Sequence, residues 1–259
     1  FPIDRRFFRL GRRMHQAGDP AAPSRDLGPL EALGRVARVF YAPRRAAGEI
    51  RDSPNWVFPL LLSVLFSLLL SVAVFSRPEW QEALQKALSG VPKTLGELER
   101  VQLLKAMQVM AYGAVVAAVV LGNLFLALLL WGAAVLLEGR TKFLTVFSLQ
   151  LHAQMVTVLP QALGLGILLA QGGKGLEGAG DPFPFSLAYF LPAQGVAPLL
   201  RAFASSADLF SLWYWGLILL GLPVLAGLPR GKLLVPVAVL WLAGILVRVA
   251  TLSMATGSP

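Results

Sequence analysis

WVFPLLLSVLFSLLLSVAVF, residues Trp56 to Phe75, runs for 20 residues without a charge. At 1.5 Å per helical residue that is about 30 Å, the thickness of the hydrocarbon core of a bilayer, so the stretch reads as a transmembrane helix with Trp56 at its interface. It begins too far from the first residue to be a removed signal peptide and is expected to stay as an anchor. Outward from it, the pattern repeats. Residues 106–137 form a second uncharged run, long enough for one tilted helix with a soluble extension and too short for two spans and a turn. Gly139, Arg140, Thr141 and Lys142 then make a tight connection into a third run, which carries Pro160 and is expected to kink there. The sequence therefore predicts an all-α polytopic transmembrane helical bundle. Its five spans are placed at about 56–75, 108–137, 143–170, 209–228 and 233–254.

Composition agrees with that class. The chain has 259 residues, of which 56% are hydrophobic and only 14% charged, and its mean hydropathy is +0.66. With no cysteine, disulfides, thiolate metal sites and a cysteine nucleophile are excluded, and the redox compartment is left open. The net charge of +9 lies mainly beside the first span, which points to anionic lipid head groups rather than to nucleic acid.

Residues 182–200 are apolar and uncharged but hold Pro182, Pro184, Pro192 and Pro198, a density that argues against a continuous helix in lipid. They are read as interfacial or re-entrant. Charge counting supports five spans, because Arg140, Lys142, Arg230 and Lys232 then share the side of the basic N-terminal region. The expected topology puts the N-terminus in the cytoplasm and the C-terminus outside, with 53–259 forming the membrane domain.

Before the first span, residues 1–28 read as a flexible basic arm. Residues 29–52 read as a basic amphipathic interfacial helix: Leu33, Ala37, Phe40 and Tyr41 recur at helical spacing, with Arg35, Arg38, Arg44 and Arg45 pointing elsewhere, toward lipid head groups. Its apolar side is narrow, so an ordinary solvated helix is the alternative.

Membrane enzymes need recognisable groups, and few are here. There is no HExxH and no GxSxG, His15 and His152 are the only histidines, and no Asp falls within a predicted span. No cofactor, metal site or catalytic residue is assigned. Gly172, Gly173 and Gly175 follow no strand and make no phosphate loop. Span serines such as Ser63, Ser67 and Ser148 ordinarily bond their own backbone or a neighbouring helix.

Polar residues inside spans carry more meaning, because each needs a partner in lipid. Asn123, Gln150, His152 and Gln154 form a candidate intramembrane cluster, with Gln150, Gln154, Thr157 and Gln161 on one helix face and His152 nearly opposite Gln150. Such a cluster either lines a path for a proton or small solute or bonds helix to helix at about 0.6 to 2 kcal/mol per bond. Arg248 lies within the fifth span and can snorkel outward, bind an anion, or pair structurally with Asp208 at the start of the fourth. Small residues at Gly113, Ala114, Ala117, Ala118 and Gly122, and again at Gly164, Gly166, Gly216 and Gly221, suit close helix packing.

The order of several local features resembles the Yip family of five-span membrane proteins, named for Ypt/Rab-interacting proteins, and in particular its bacterial branch. These are Val39-Phe40-Tyr41-Ala42-Pro43, then Ile50, Pro54 and Pro59 before and within the first span, Gly139 to Phe143 opening the third span with Pro160 later in it, and Asp208-Leu209-Phe210-Ser211-Leu212-Trp213 opening the fourth. The resemblance covers roughly residues 30–254. It implies a non-enzymatic membrane protein with a cytoplasmic N-terminal segment, of a family linked in eukaryotes to Rab GTPases, vesicle traffic and membrane shaping. The eukaryotic DLYGP-type motif is not found, the nearest stretch being Asp52-Ser53-Pro54-Asn55-Trp56, so Rab binding does not carry over. Arg far in excess of Lys suggests a GC-rich bacterial source and the bacterial inner membrane. The expected role is to organise membrane or recruit a partner, of unspecified identity, through the basic arm. A small-solute or ion transporter is the alternative, and a lipid-modifying enzyme is a distant third.

Overall fold

The computed structural model describes residues 28–78, 80, 82, 86, 96–170, 187–192, 195–206 and 208–256. The expected arm lies outside them but for Gly28, as do residues 182–186 and the glycines at 172, 173 and 175. Two helices, α1 (Pro29–Tyr41) and α2 (Pro43–Asp52), precede α3 (Val57–Phe75), α4 (Glu97–Leu136) and α5 (Phe143–Ala170). A short 3-10 helix (Leu187–Phe190) and α6 (Pro198–Ser206) lead to α7 (Leu209–Ala226) and α8 (Arg230–Thr256). Among the described residues five helices, α3, α4, α5, α7 and α8, are long and apolar enough to cross a membrane. α4 is a single helix of 40 residues, which agrees with one tilted span plus a polar extension over Glu97 to Lys105. Within 182–200 the described elements are four and nine residues long, too short to cross.

α5 is the most buried of the five and packs against α1, α2, α3, α4 and α7. In lipid, apolar exclusion no longer drives helices together, so close packing and hydrogen bonds decide the arrangement. Leu149 of α5 sits directly over Gly221 of α7, where a β-carbon would stand 2.6 Å from Leu149 Cδ1. The other small residues behave differently: a β-carbon at Gly113, Gly122, Gly166 or Gly216 would meet nothing within 4 Å. Helix-packing spacing in the sequence is the same in both cases, but of these described glycines only Gly221 is in tight contact. α5, α7 and α8 each continue through an internal proline, Pro160, Pro223 and Pro236.

Two helix ends meet. α4 closes with the Glu138 N–H on Val135 O (2.9 Å) and the Gly139 N–H on Ala134 O (2.8 Å), with Glu138 in the left-handed region at φ 66°; this is a Schellman stop. α7 ends on Gly227 at φ 67°, and the Arg140 N–H donates to Ala226 O at 3.0 Å. The α4–α5 and α7–α8 turns are thereby tied at one end of the bundle, where Arg140, Lys142, Arg230 and Lys232 collect. Aromatic rings mark both ends, as membrane interfaces favour. Trp56, Phe147, Phe143 and Trp131 form a chain at the basic end. Phe75, Trp80 and Tyr112 cluster at the far end.

Residues 29–52 are two helices rather than the expected one. Pro43 lacks an N–H and disfavours a helical residue before it, and Ala42 accordingly takes φ −138°, ψ 57°. The result is a helical hairpin. α2 packs along α7, and α1 against α2 and α5. Ala46, Ala47 and Ile50 are sealed in the same core as Leu217, Ile218 and Leu222 of α7. Phe40 stands edge-on to Trp213 in the second turn of α7, with ring centroids 5.7 Å apart, while Arg51 and Asp52 border Leu225 at its end. Trp213 and Leu225 are about 18 Å apart along α7, so the hairpin packs alongside most of that helix.

Candidate functional site

The hairpin's polar groups converge on Glu49. Its carboxylate lies 3.0 Å from Arg38, 3.3 Å from Arg45 one turn earlier, and 3.8 Å from Arg35. Arg35 also donates through Nη1 to Ser53 O, which closes α1 onto the segment that enters α3. Arg35 is only 4% exposed. Burial pulls its guanidinium below the ordinary arginine value, Glu49 opposes that shift, and Arg38 adds to it. An arginine stays charged regardless, so Glu49 is what makes its burial tolerable.

This corrects the sequence reading of residues 29–52. The packed face of α1 is Ala32, Arg35, Val36 and Val39, because small and β-branched side chains let α1 approach its neighbours closely. Arg35 is therefore inside, not on lipid head groups, and Arg38 is spent largely on Glu49. Of the expected apolar side, Phe40 packs on Trp213 while the rest is outward: Leu33 is exposed, Ala37 and Tyr41 with it, and Leu30 extends the stripe. Arg44 and Arg45 remain exposed at the start of α2. Glu49 was missed by the sequence reading, although its position four residues after Arg45 is a legible helical pairing.

Within the bundle, two of the four cluster residues meet directly. Gln150 donates through Nε2 to Asn123 Oδ1 at 2.6 Å, joining α5 to α4, and Asn123 itself donates to Val119 O. His152 is on the other side of α5, as its spacing requires, buried with Nδ1 2.7 Å from Ser148 O. Ser148 in turn donates to Asn55 O at 3.0 Å, pinning the start of α3 to α5. Gln154 donates to Thr157 Oγ1 at 2.9 Å on its own helix. Gln150 and the sealed hydroxyl of Tyr214 face each other across α5 and α7 and interact there. Between α3, α4 and α5 an open cleft of about 380 Å³ is lined by Ser63, Ser67, Asn123, Gln154, Thr157 and Gln161, among others. Gln150 and His152 are not part of its wall.

Asp208 caps α7, accepting from the Ser211 N–H at 2.8 Å, a use of its carboxylate that stabilises a helix start. The Arg248 side chain, its expected partner, lies outside the described residues.

The family comparison rests on this frame of five spans behind a short N-terminal hairpin. A model of the Yip1 domain matches residues 37–251, a range that starts within α1 and ends in α8. No curated protein and no solved structure matches the chain. Because the matched range takes in the end of α1, all of α2 and the five candidate spans, the chain is a multi-pass integral membrane protein that belongs to the Yip family.

Proposed function

We propose that this is a non-enzymatic membrane-organising protein of a bacterial inner membrane, with its N-terminus and basic end in the cytoplasm and its C-terminus outside. It engages anionic lipid, or recruits a protein partner, through the outward edge of the hairpin. The observation that carries the reading is that edge itself. Leu30 is 86% and Tyr41 75% exposed, with Leu33 and Ala37 between them and Arg44 and Arg45 just beyond, an apolar stripe with cations at one end, turned away from the bundle toward whatever lipid or partner surrounds it. Arg140, Lys142, Arg230 and Lys232, gathered at one end of the bundle, support the cytoplasmic orientation of that end.

The chain has no cysteine, so one placed at Leu30 and labelled with a polarity-sensitive fluorophore reports on that edge alone. In nanodiscs containing phosphatidylglycerol its emission shifts to the blue relative to phosphatidylcholine discs, and Arg44→Gln with Arg45→Gln removes the difference. Identical emission in both lipids would sink the reading.

The transport alternative draws support from the polar cleft beside Asn123 and Gln154. Its titratable element, His152, is sealed on the opposite side of α5. On this reading Gln154→Leu blocks flux in proteoliposomes, while His152→Ala leaves any pH dependence unchanged.

A further inference from the structure

A second cationic feature lies away from the hairpin's outward edge. Arg51, Asp52, Arg140, Thr141, Lys142 and Leu225 border a cleft of about 480 Å³ at the basic end, between the close of α2, the α4–α5 turn and the last turn of α7. Arg51 donates to Asp52 at 3.1 Å, and these two charges cancel. Arg140 and Lys142 have no acidic partner among the described residues, which leaves the cleft with an excess of two positive charges. Thr141 Oγ1 is sealed and has no hydrogen-bond partner there. A hydroxyl in that state lacks a contact, which a turn about χ1 toward a ligand oxygen in the cleft supplies. The cleft also receives the start of α5, a helix of 28 residues. Its Thr145 and Val146 N–H groups bond back to Lys142 O, and the earlier ones have no intrahelical acceptor, so the helix end adds donors and partial positive charge.

We propose that this cleft binds the phosphate of an anionic phospholipid head group, with Arg140 and Lys142 as the charged contacts and the Thr141 hydroxyl as a neutral donor. The source is a lipid rather than free phosphate because of where the cleft sits. It lies beside the aromatic chain of Trp56, Phe147, Phe143 and Trp131 that marks the membrane interface, so the acyl chains of a bound lipid continue along the spans. A free phosphate would gain nothing from that position.

The test uses the full chain, purified in mild detergent, and fluorescent phosphatidylglycerol as the probe. Arg140→Gln with Lys142→Gln weakens binding roughly thirty-fold, from two well-placed basic contacts. Thr141→Val, a milder change that keeps both charges, weakens it roughly ten-fold. Arg44→Gln with Arg45→Gln, which tests the hairpin edge, leaves this affinity within about two-fold, since exposed distant charges are screened. Unchanged affinity in both cleft variants overturns the proposal. So does equal binding of phosphatidylcholine, or an equal loss in the hairpin variant, which would assign binding to the hairpin. Inorganic phosphate that displaces the lipid at matched concentration overturns the lipid assignment.

Discussion

A β-carbon at Gly139 would stand 2.7 Å from the Ala134 carbonyl oxygen and 3.0 Å from both Ala226 Cβ and Leu228 Cδ1. The first obstacle is backbone and cannot swing aside, whereas at Gly221 the obstacle is the end of the Leu149 side chain, which can. Gly221→Ala is therefore expected to cost about 1 to 3 kcal/mol through overpacking, and Gly139→Ala more, because it also displaces the turn whose Arg140 N–H reaches Ala226. Unfolding in detergent measures the order; Gly221→Ala costing more than Gly139→Ala would contradict it. At this scale the sequence was partly legible. Asn123 and Gln150 were expected to need partners in lipid, and they find each other. The emptiness around Gly122 and Gly216 was not legible, because the spacing of small residues records what could approach and not what does.

α1 and α2 show how an element is misread when its partner is distant in sequence. Helical periodicity treats an arginine as a solvent marker, yet Arg35 faces inward because Glu49, fourteen residues later, comes back across the hairpin to meet it. The break that makes this possible is plain in the chain as Pro43. The carboxylate is the pivot: Glu49→Gln leaves three arginines without compensation, one of them buried, at a cost of about 3 kcal/mol. The outcome to measure is release of the hairpin from α7. Ala47 is sealed in the native fold, so a cysteine there should resist a maleimide in the otherwise native protein and react in the Glu49→Gln background. Equal reactivity in the two backgrounds would show that the carboxylate does not hold the hairpin. Elsewhere the elements followed the expected hydropathy closely, because in a bilayer the backbone has no alternative to an unbroken helix.

For the whole molecule, five spans were legible because the solvent imposes their length, whereas the packing of the hairpin along α7 and the cleft at the basic end were not, since both depend on turns brought together by the fold. Arg140 and Lys142 read in the sequence as markers of orientation; only the Arg140 to Ala226 tie places them around a cavity. The aromatic ends carry one more consequence. From Trp56 to Phe75, α3 covers about 28 Å, close to an average hydrocarbon core of about 30 Å. From Tyr112, which touches Phe75 at the far end, to Trp131 in the basic-end chain, α4 also covers about 28 Å. The two neighbours ask for the same bilayer. Stability in vesicles of increasing acyl length should therefore peak near the average thickness, and a flat profile would refute this. Membranes much thinner or thicker would hold the chain less well, making the shared spacing of its rings a means of sorting by bilayer thickness.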